Sequence, residues 1–158
     1  MRIDMYGASD VGRVRKSNQD AFYCSPSQGI AVVADGIGGR KGGEIASRIV
    51  VDGMRKAIVE VPTLRPEEVG NFIIASIDQL NQDVIISGVN RGLAGMGTTL
   101  ECLVFIDNQI HLAHVGDSRT LLFSQKHLWQ LTIDHNVKNF VDRGWIDKSE
   151  LGSESRQE

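Results

Sequence analysis

The stretch Ile30–Gly39, which reads IAVVADGIGG, joins an apolar run to an acidic residue and three glycines. The apolar run predicts a short buried strand that delivers the carboxylate of Asp35 to its end. The glycines after it allow another group to approach the backbone closely. Asp-Gly pairs also mark ordinary turns, and that alternative remains open here. We predict that Asp35 is a metal ligand.

Two further acidic residues lie next to apolar runs. Asp20 precedes the run Ala21–Cys24, and Asp117 follows the run Ile110–Val115. Carboxylates that recur at strand ends can converge in the folded chain, and carboxylate and carbonyl oxygens are ligands that suit Mg²⁺ or Mn²⁺. The pattern therefore predicts a site for a hard divalent cation.

The composition predicts one globular domain over residues 1–158. The chain has 158 residues, 41% of them hydrophobic, and a formal net charge of −3. Such a small charge predicts no nucleic-acid partner. The N-terminus lacks the apolar stretch of a signal peptide, and no run approaches the roughly 18 apolar residues of a membrane helix, so we predict a cytoplasmic protein without membrane contacts. Cys24 and Cys102 fall in predicted strands, where reduced core thiols are expected.

Two amphipathic helices are predicted in the middle of the chain and a short one near its end. The first covers Glu44–Val61, and the second runs from Pro66 to about Ser87, with Gly88 just past its end. Their apolar side chains fall on one helical face, which indicates that both helices cover a sheet. The short helix covers Asn136–Arg143, and Asp134 can cap it.

The second half of the chain predicts antiparallel strands. Thr98–Ile106 and Gln109–Val115 are joined by only two residues, which permits a hairpin and excludes a parallel pair. The runs Arg119–Phe123 and Leu128–Leu131 are expected to continue this meander. The order of strands, two helices and further antiparallel strands indicates an α+β fold and not a parallel nucleotide-binding sheet.

The glycine-rich segment Gly36–Gly43 follows a strand and opens a helix, which is the context of phosphate-binding loops. Its spacing matches none of them, since Lys41 stands where the dinucleotide fingerprint needs glycine and is followed by Gly42 instead of serine or threonine. Asp35 would also repel a bound phosphate by roughly 4 kcal/mol at about 4 Å. A carboxylate in this position therefore predicts a cation between it and the phosphate.

Five motifs in order along the chain carry a family resemblance. They are Ser9–Asp20, Asp35–Gly39, Gly97–Thr99, His114–Arg119 and Leu131–His135. With these motifs the chain resembles the bacterial metal-dependent PP2C-type (PPM) serine/threonine protein phosphatases. The resemblance implies a β-sandwich of two stacked antiparallel sheets flanked by helices, which agrees with the α+β pattern.

The resemblance also implies roles for single residues. Asp35 would bridge two metal ions, the Gly36 carbonyl would help to hold one of them, and Asp20 would orient metal-bound water. Asp117 would help to hold a third ion, and Arg15 would bind the substrate phosphate. The implied reaction is hydrolysis of phosphoserine and phosphothreonine by direct attack of metal-bound hydroxide, with two or three Mn²⁺ or Mg²⁺ ions. The implied partners are phosphorylated proteins and an opposing serine/threonine kinase.

Plainer roles exist for several of these residues. Arg15 is also explained as a solvated cation, although a guanidinium fork suits phosphate geometry. His114 is expected to be a packed histidine with a hydrogen-bond partner and not a ligand. Asp134 is explained equally well as a helix cap, and neither it nor His135 is assigned a catalytic role.

The chain departs from the family pattern in one respect. Two further aspartates that complete the metal site of PP2C-type phosphatases have no counterpart after Asp134, because Asp142 and Asp147 lie in a segment that resembles the flap. The resemblance thus implies a domain truncated after the flap, without its C-terminal strands. The alternative function is that of an inactive fragment or pseudophosphatase that acts as a binding module.

Overall fold

The computed structural model describes residues 2–37, 41–59, 64–106, 108–147 and 149. The chain divides into two compact units, Met1–His114 and Val115–Glu158. None of the helices in the described part combines the length and the apolar character that crossing a membrane requires.

The first unit is built on a four-stranded sheet in the order β1-β2-β3-β4. The strands are β1 (Asp20–Ser25), β2 (Ile30–Asp35), β3 (Leu100–Ile106) and β4 (Gln109–Val115). β2 pairs antiparallel with both β1 and β3, so the apolar run of the opening motif lies inside the sheet. All four strands were predicted. β3 begins two residues later than expected, because Thr98 makes only an isolated bridge, with Gly36.

Helices α1 (Gly43–Ala57) and α2 (Pro66–Asn90) lie between β2 and β3 in the chain. α1 packs on β1 and β2, and α2 packs on α1. The amphipathic patterns predicted both helices, while the expected end of the first at Val61 lies outside the described residues.

The prediction that Gly88 follows the end of α2 is wrong, because the helix continues to Asn90. A Cβ at Gly88 would lie 3.1 Å from the carbonyl oxygen of Leu93 and 3.3 Å from Cγ of Met96. Gly88 thus permits close packing of the returning chain. The turn out of the helix is made at Gly92, whose φ of 67° is in the left-handed region that favours glycine.

The core of the first unit lies between the sheet and its helices. Side chains on one face of the sheet and on the inner faces of both helices form one buried cluster, which includes Ile30, Val32, Ala34, Cys102 and Val104 from the strands and Ala46, Val50, Met54, Val69 and Ile73 from the helices. Cys102 is buried there as predicted, and burial raises the pKa of its thiol to about 12. Cys24 is only half-buried, so its assignment to the core is wrong; it alternates along β1 with Tyr23, which packs against the core, and therefore lies on the opposite face of the sheet.

The second unit holds a separate two-stranded sheet of β5 (Leu121–Ser124) and β6 (His127–Gln130). The turn between them places Gln125 and Lys126 at φ of 50° and 65°, as two-residue hairpin turns of the primed type require. The prediction that these strands continue the β3–β4 meander is wrong. The chain turns after β4 at Gly116, whose φ is 105°.

Helix α3 (Val137–Asp142) closes the described part of the second unit. Its N-cap is Asn136, whose side chain accepts a hydrogen bond from the Asn139 N–H at 2.8 Å. The prediction that Asp134 caps this helix is therefore wrong, since its carboxylate pairs with Arg119 instead. The predicted α+β class, with antiparallel sheets and flanking helices, is confirmed.

Candidate metal centre

Asp20 and Asp35 are direct partners in the antiparallel β1–β2 ladder. β1 begins at Asp20 and β2 ends at Asp35, so the pair forms the last rung of the ladder. Residues opposite each other in an antiparallel pair project from the same face of the sheet, about 4.5–5.5 Å apart at Cβ. Both residues are exposed, and like charges in this arrangement repel. A cation bound between the carboxylates would relieve that repulsion.

The backbone of Asp35 is held from the β3 side by Thr99. The Asp35 N–H donates to Oγ1 of Thr99 at 3.0 Å, and the Thr99 N–H donates to the Asp35 carbonyl at 2.9 Å. Thr99 is itself buried. These two bonds extend the pairing of β2 with the chain ahead of β3, so they fix the end of β2 where its carboxylate emerges.

Gly36 is buried against the first turn of α1. Its N–H donates to the carbonyl of Gln19 at 3.1 Å. A Cβ at Gly36 would lie 2.3 Å from the carbonyl oxygen of Gly43 and 2.8 Å from that of Gln19, so no side chain fits. The glycine predicted to let another group approach the backbone is confirmed in that role, and the neighbouring group is α1.

A small polar network supports Asp20. The Ser9 hydroxyl donates to Oδ2 of Asp20 at 3.2 Å, and the Asn18 side-chain amide donates to the Ser9 hydroxyl at 2.7 Å. Oδ1 of Asn18 also accepts from the Asp20 N–H at 3.0 Å. All three residues are exposed. The network orients the Asp20 carboxylate while leaving it open to solvent and ligands.

Arg15 lies on the exposed loop between Gly12 and β1. Across the described ranges of the chain, its guanidinium makes no ion pair within the usual bonding distance, so it is available to an external anion. Asp20 and Arg15 are close in sequence, but among the described residues no ion pair joins Arg15 to Asp20. The two roles considered for Arg15, phosphate ligand and solvated cation, both fit this placement.

Asp117 belongs to the second unit, where it is exposed in the loop after β4. Two bonds to His135 hold the start of that loop: the His135 N–H donates to the Gly116 carbonyl at 2.7 Å, and the Gly116 N–H donates to Nδ1 of His135 at 3.2 Å. The end of the loop is held by Arg119, which donates through Nε to Oδ1 of Asp134 at 2.8 Å and through Nη2 to Oδ2. This bond and the charge of Asp134 raise the pKa of Arg119.

His114 makes the contact expected of a packed histidine. Its Nδ1 lies 2.7 Å from Oε1 of Glu101, and both side chains are about nine-tenths buried. The two residues come from neighbouring strands of the sheet. His114 is therefore partnered inside the protein, in line with the prediction that it is not a ligand.

The carboxylate pair offers a small donor set to a divalent ion. The described ranges contain no group of three or more His, Cys, Asp or Glu side chains that could hold a metal. Asp20 and Asp35 supply two hard carboxylates on one face of the sheet. Mg²⁺ in proteins commonly keeps several waters and binds through one or two carboxylates plus substrate phosphate oxygens. The pair fits such an ion.

Three residues that form hydrogen bonds at this site or next to it were not assigned roles from the sequence: Ser9 bonds to Asp20, Thr99 to Asp35, and Ser47 to the Gln19 carbonyl. Thr99 belongs to one of the five motifs, Ser9 begins another, and Ser47 lies on the apolar face of a predicted helix. Of the three, only Ser47 carries a signal in the sequence. A polar residue on the apolar face of a helix is expected to be buried, and a buried hydroxyl needs a hydrogen-bond partner. The partner itself could not be deduced from periodicity.

Comparison with known proteins places this geometry in a family. A sequence model described as protein phosphatase 2C matches residues 12–143. The serine/threonine phosphatase stp of Listeria monocytogenes serotype 4b (strain F2365) is 34% identical over 155 residues, which cover 94% of this chain and 62% of that protein. The chain thus spans about three fifths of the length of this curated relative.

Solved structures agree with the sequence comparison. The serine/threonine phosphatase PstP/Ppp of Mycobacterium tuberculosis is 32% identical and superposes with a TM-score of 0.75, over 90% of this chain and 60% of that one. The catalytic domain of PstP in complex with two manganese ions is 32% identical, with a TM-score of 0.74, over 90% of this chain and 61% of that one.

Proposed function

The chain belongs to the protein phosphatase 2C family, and on that premise we propose that it serves in the metal-dependent hydrolysis of phosphoserine and phosphothreonine in proteins. The observation that carries the proposal is the last rung of the β1–β2 ladder, where Asp20 and Asp35 stand opposite each other and exposed. The manganese ions of the PstP complex support Mn²⁺ or Mg²⁺ as the cofactor.

We propose the following roles for residues of this chain. Asp20 and Asp35 hold the ions, with the Gly36 carbonyl as a further ligand, and Asp20 also orients water. Asp117 contributes to a third ion. When bound, such ions lower the pKa of coordinated water and offset the charge on the phosphoryl group. These ligand assignments are proposals that rest on the motifs and on the placement of the carboxylates.

Arg15 is proposed to bind the substrate phosphate. Its side chain is exposed, and a planar fork of donors can hold two phosphate oxygens at once. Its loop leads directly into β1, whose first residue is Asp20. The phosphate would thus approach the carboxylate pair from the β1 side of the sheet, away from β3.

Both compact units are proposed to belong to one phosphatase domain, residues 1–158. The support is the family match over residues 12–143, which crosses the boundary between His114 and Val115. We further propose phosphorylated proteins as substrates, an opposing serine/threonine kinase and a cytoplasmic location. The alternative of a non-catalytic binding module is less well supported, because the exposed carboxylate pair has the form of a cation site.

Activity can be tested in a version of the domain extended to the length of its relatives, since this chain spans about three fifths of the stp phosphatase. Hydrolysis of p-nitrophenyl phosphate and of a phosphothreonine peptide should require Mn²⁺ or Mg²⁺ and stop with EDTA. Asp35→Asn should abolish it, whereas Asp52→Asn, which alters an exposed carboxylate in α1, should leave it unchanged. Turnover that survives EDTA would refute the metal mechanism.

The role of Arg15 requires a separate measurement. Arg15→Ala should raise KM for the phosphopeptide and leave Mn²⁺ affinity nearly unchanged, because the guanidinium is assigned to the phosphate and not to the ions. An unchanged KM would return Arg15 to the class of solvated surface charges.

A further inference from the structure

Ser47 is a polar residue in the core of the first unit, with no exposed surface. Its hydroxyl donates to the backbone carbonyl of Gln19 at 2.7 Å. The carbonyl of Glu44 in its own helix is a weaker partner, at 3.4 Å. The short bond therefore joins α1 to the residue that immediately precedes β1, and it spans 28 positions of sequence.

The same carbonyl oxygen accepts a second hydrogen bond. The Gly36 N–H donates to it at 3.1 Å. Gln19 directly precedes Asp20, and Gly36 directly follows Asp35. One carbonyl thus connects the residues adjacent to both carboxylates, and Ser47 occupies the remaining acceptor position of that oxygen, since a carbonyl has two lone pairs. The side chain of Gln19 adds a second tie to α1, because its amide donates to Glu44 at 3.2 Å.

The site needs such support because of where the carboxylates lie. Asp20 and Asp35 repel each other across the rung at which the pairing of β1 with β2 ends. We infer that Ser47 is a positioning residue, whose hydroxyl holds Asp20 opposite Asp35 through the Gln19 carbonyl. The expected effect of Ser47 on cation binding rests on the proposed function. Its expected effect on the position of the two strand ends does not depend on that function.

The chain offers a matched control in α2. Ser76 also lies in a helix, is partly buried and donates its hydroxyl to a backbone carbonyl, that of Phe72, at 2.8 Å. That bond stays within one helix. Ser76→Ala therefore removes a similar hydrogen bond but leaves the contacts of the β1–β2 rung unchanged. Ser47→Cys supplies a second control, because a thiol fills nearly the same space but is a weak donor.

The test uses Ser47→Ala, Ser47→Cys and Ser76→Ala in the 158-residue chain. The first measurement is amide hydrogen exchange at Gly36 by NMR without metal, where we expect at least a tenfold acceleration in both Ser47 variants. The second is titration with Mn²⁺, where we expect affinity to fall about 10- to 100-fold, the usual effect of losing a partner that orients metal ligands. Ser76→Ala should change neither quantity.

The outcomes distinguish the effect of the Ser47 hydroxyl from the effect of the volume that the side chain fills. Wild-type behaviour in Ser47→Cys would show that filled volume is what matters and would overturn the proposal. Unchanged Gly36 exchange in the Ser47 variants would also overturn it, and the Cys variant decides if the Ala variant does not fold. Failure of the unsubstituted chain to bind Mn²⁺ would count against the proposed function, while the exchange measurement would still decide the role of Ser47.

Discussion

Asp20 faces Asp35 across the last rung of the β1–β2 ladder, and both side chains are open to solvent. The sheet thus carries two like charges at neighbouring positions where pairing ends. Such an arrangement costs stability in the absence of a cation and binds a cation at a favourable place. Replacing one of the two aspartates by asparagine removes a negative charge and keeps a side chain of nearly the same size.

Asp20→Asn should stabilise the metal-free protein by about 0.2–1 kcal/mol, because it removes the repulsion and keeps an oxygen for the Ser9 hydroxyl. The same change should abolish the added stability that Mn²⁺ confers on the unsubstituted chain, since a bound ligand stabilises only the state that binds it. Urea unfolding with and without Mn²⁺ measures both effects. Loss of stability in the metal-free variant would contradict this account of the rung.

Gly36→Ala should destabilise the protein by about 1–3 kcal/mol or more, because the new Cβ would lie 2.3 Å from the rigid carbonyl of Gly43. Gly70→Ala is the control. It lies in α2, and an added Cβ there would meet no described atom within 4 Å, so alanine should raise stability by about 0.5–1 kcal/mol. Equal effects of the two substitutions in urea unfolding would argue against close contact between Gly36 and α1.

Arg119→Lys should lower the free energy of unfolding, because a lysine cannot reproduce the two-pronged bond to the nearly buried Asp134. The loss should be modest, because the Arg119 side chain is partly exposed and solvent weakens its ion pair. Lys138→Ala breaks an exposed pair with Asp142 one helical turn away and should lower the free energy of unfolding by less than Arg119→Lys does. A smaller loss for Arg119→Lys than for Lys138→Ala would contradict the assigned role.

Cys24 should react with a thiol reagent such as DTNB at about pH 8 while Cys102 stays protected in the folded chain. Burial removes Cys102 from solvent and raises its pKa to about 12, so the reactive thiolate is scarce. Peptide mapping after brief labelling distinguishes the two thiols, and Cys24→Ala should remove nearly all fast labelling. Rapid modification of Cys102 in native protein would show that the helix-facing core opens readily.

The contribution of Glu44 should depend on pH. Its backbone hydrogen bond and the amide of Gln19 lower its pKa below the ordinary value, so the stabilisation is present above that value and is lost as pH falls through the lowered pKa. Glu44→Gln should therefore be less stable than the unsubstituted chain at about pH 7, and the difference should shrink by about pH 3. Unfolding midpoints at both pH values test this, and a constant difference would rule the linkage out.

The local elements of this protein were determined by sequence alone. The apolar run Ile30–Ala34 predicted β2, helical periodicity predicted α1 and α2, and the strand-end placement of Asp20 and Asp35 predicted a cation site. These signals succeed because side-chain periodicity and turn chemistry act between residues close in the chain. The five motifs carried the family for the same reason, since each is a short contiguous segment.

Tertiary structure decided which distant groups meet. The hydrogen bond from Asp35 to Thr99 spans 64 positions, and that from Ser47 to Gln19 spans 28. Neither bond can therefore be predicted from the pattern of neighbouring residues in the sequence. Asp134 was predicted to cap a helix because its neighbours allow it, yet it pairs with Arg119, 15 positions away. A nearly buried carboxylate is stabilised more by a guanidinium than by a helix end. Strand register and helix packing bring such groups together, and both depend on the whole fold.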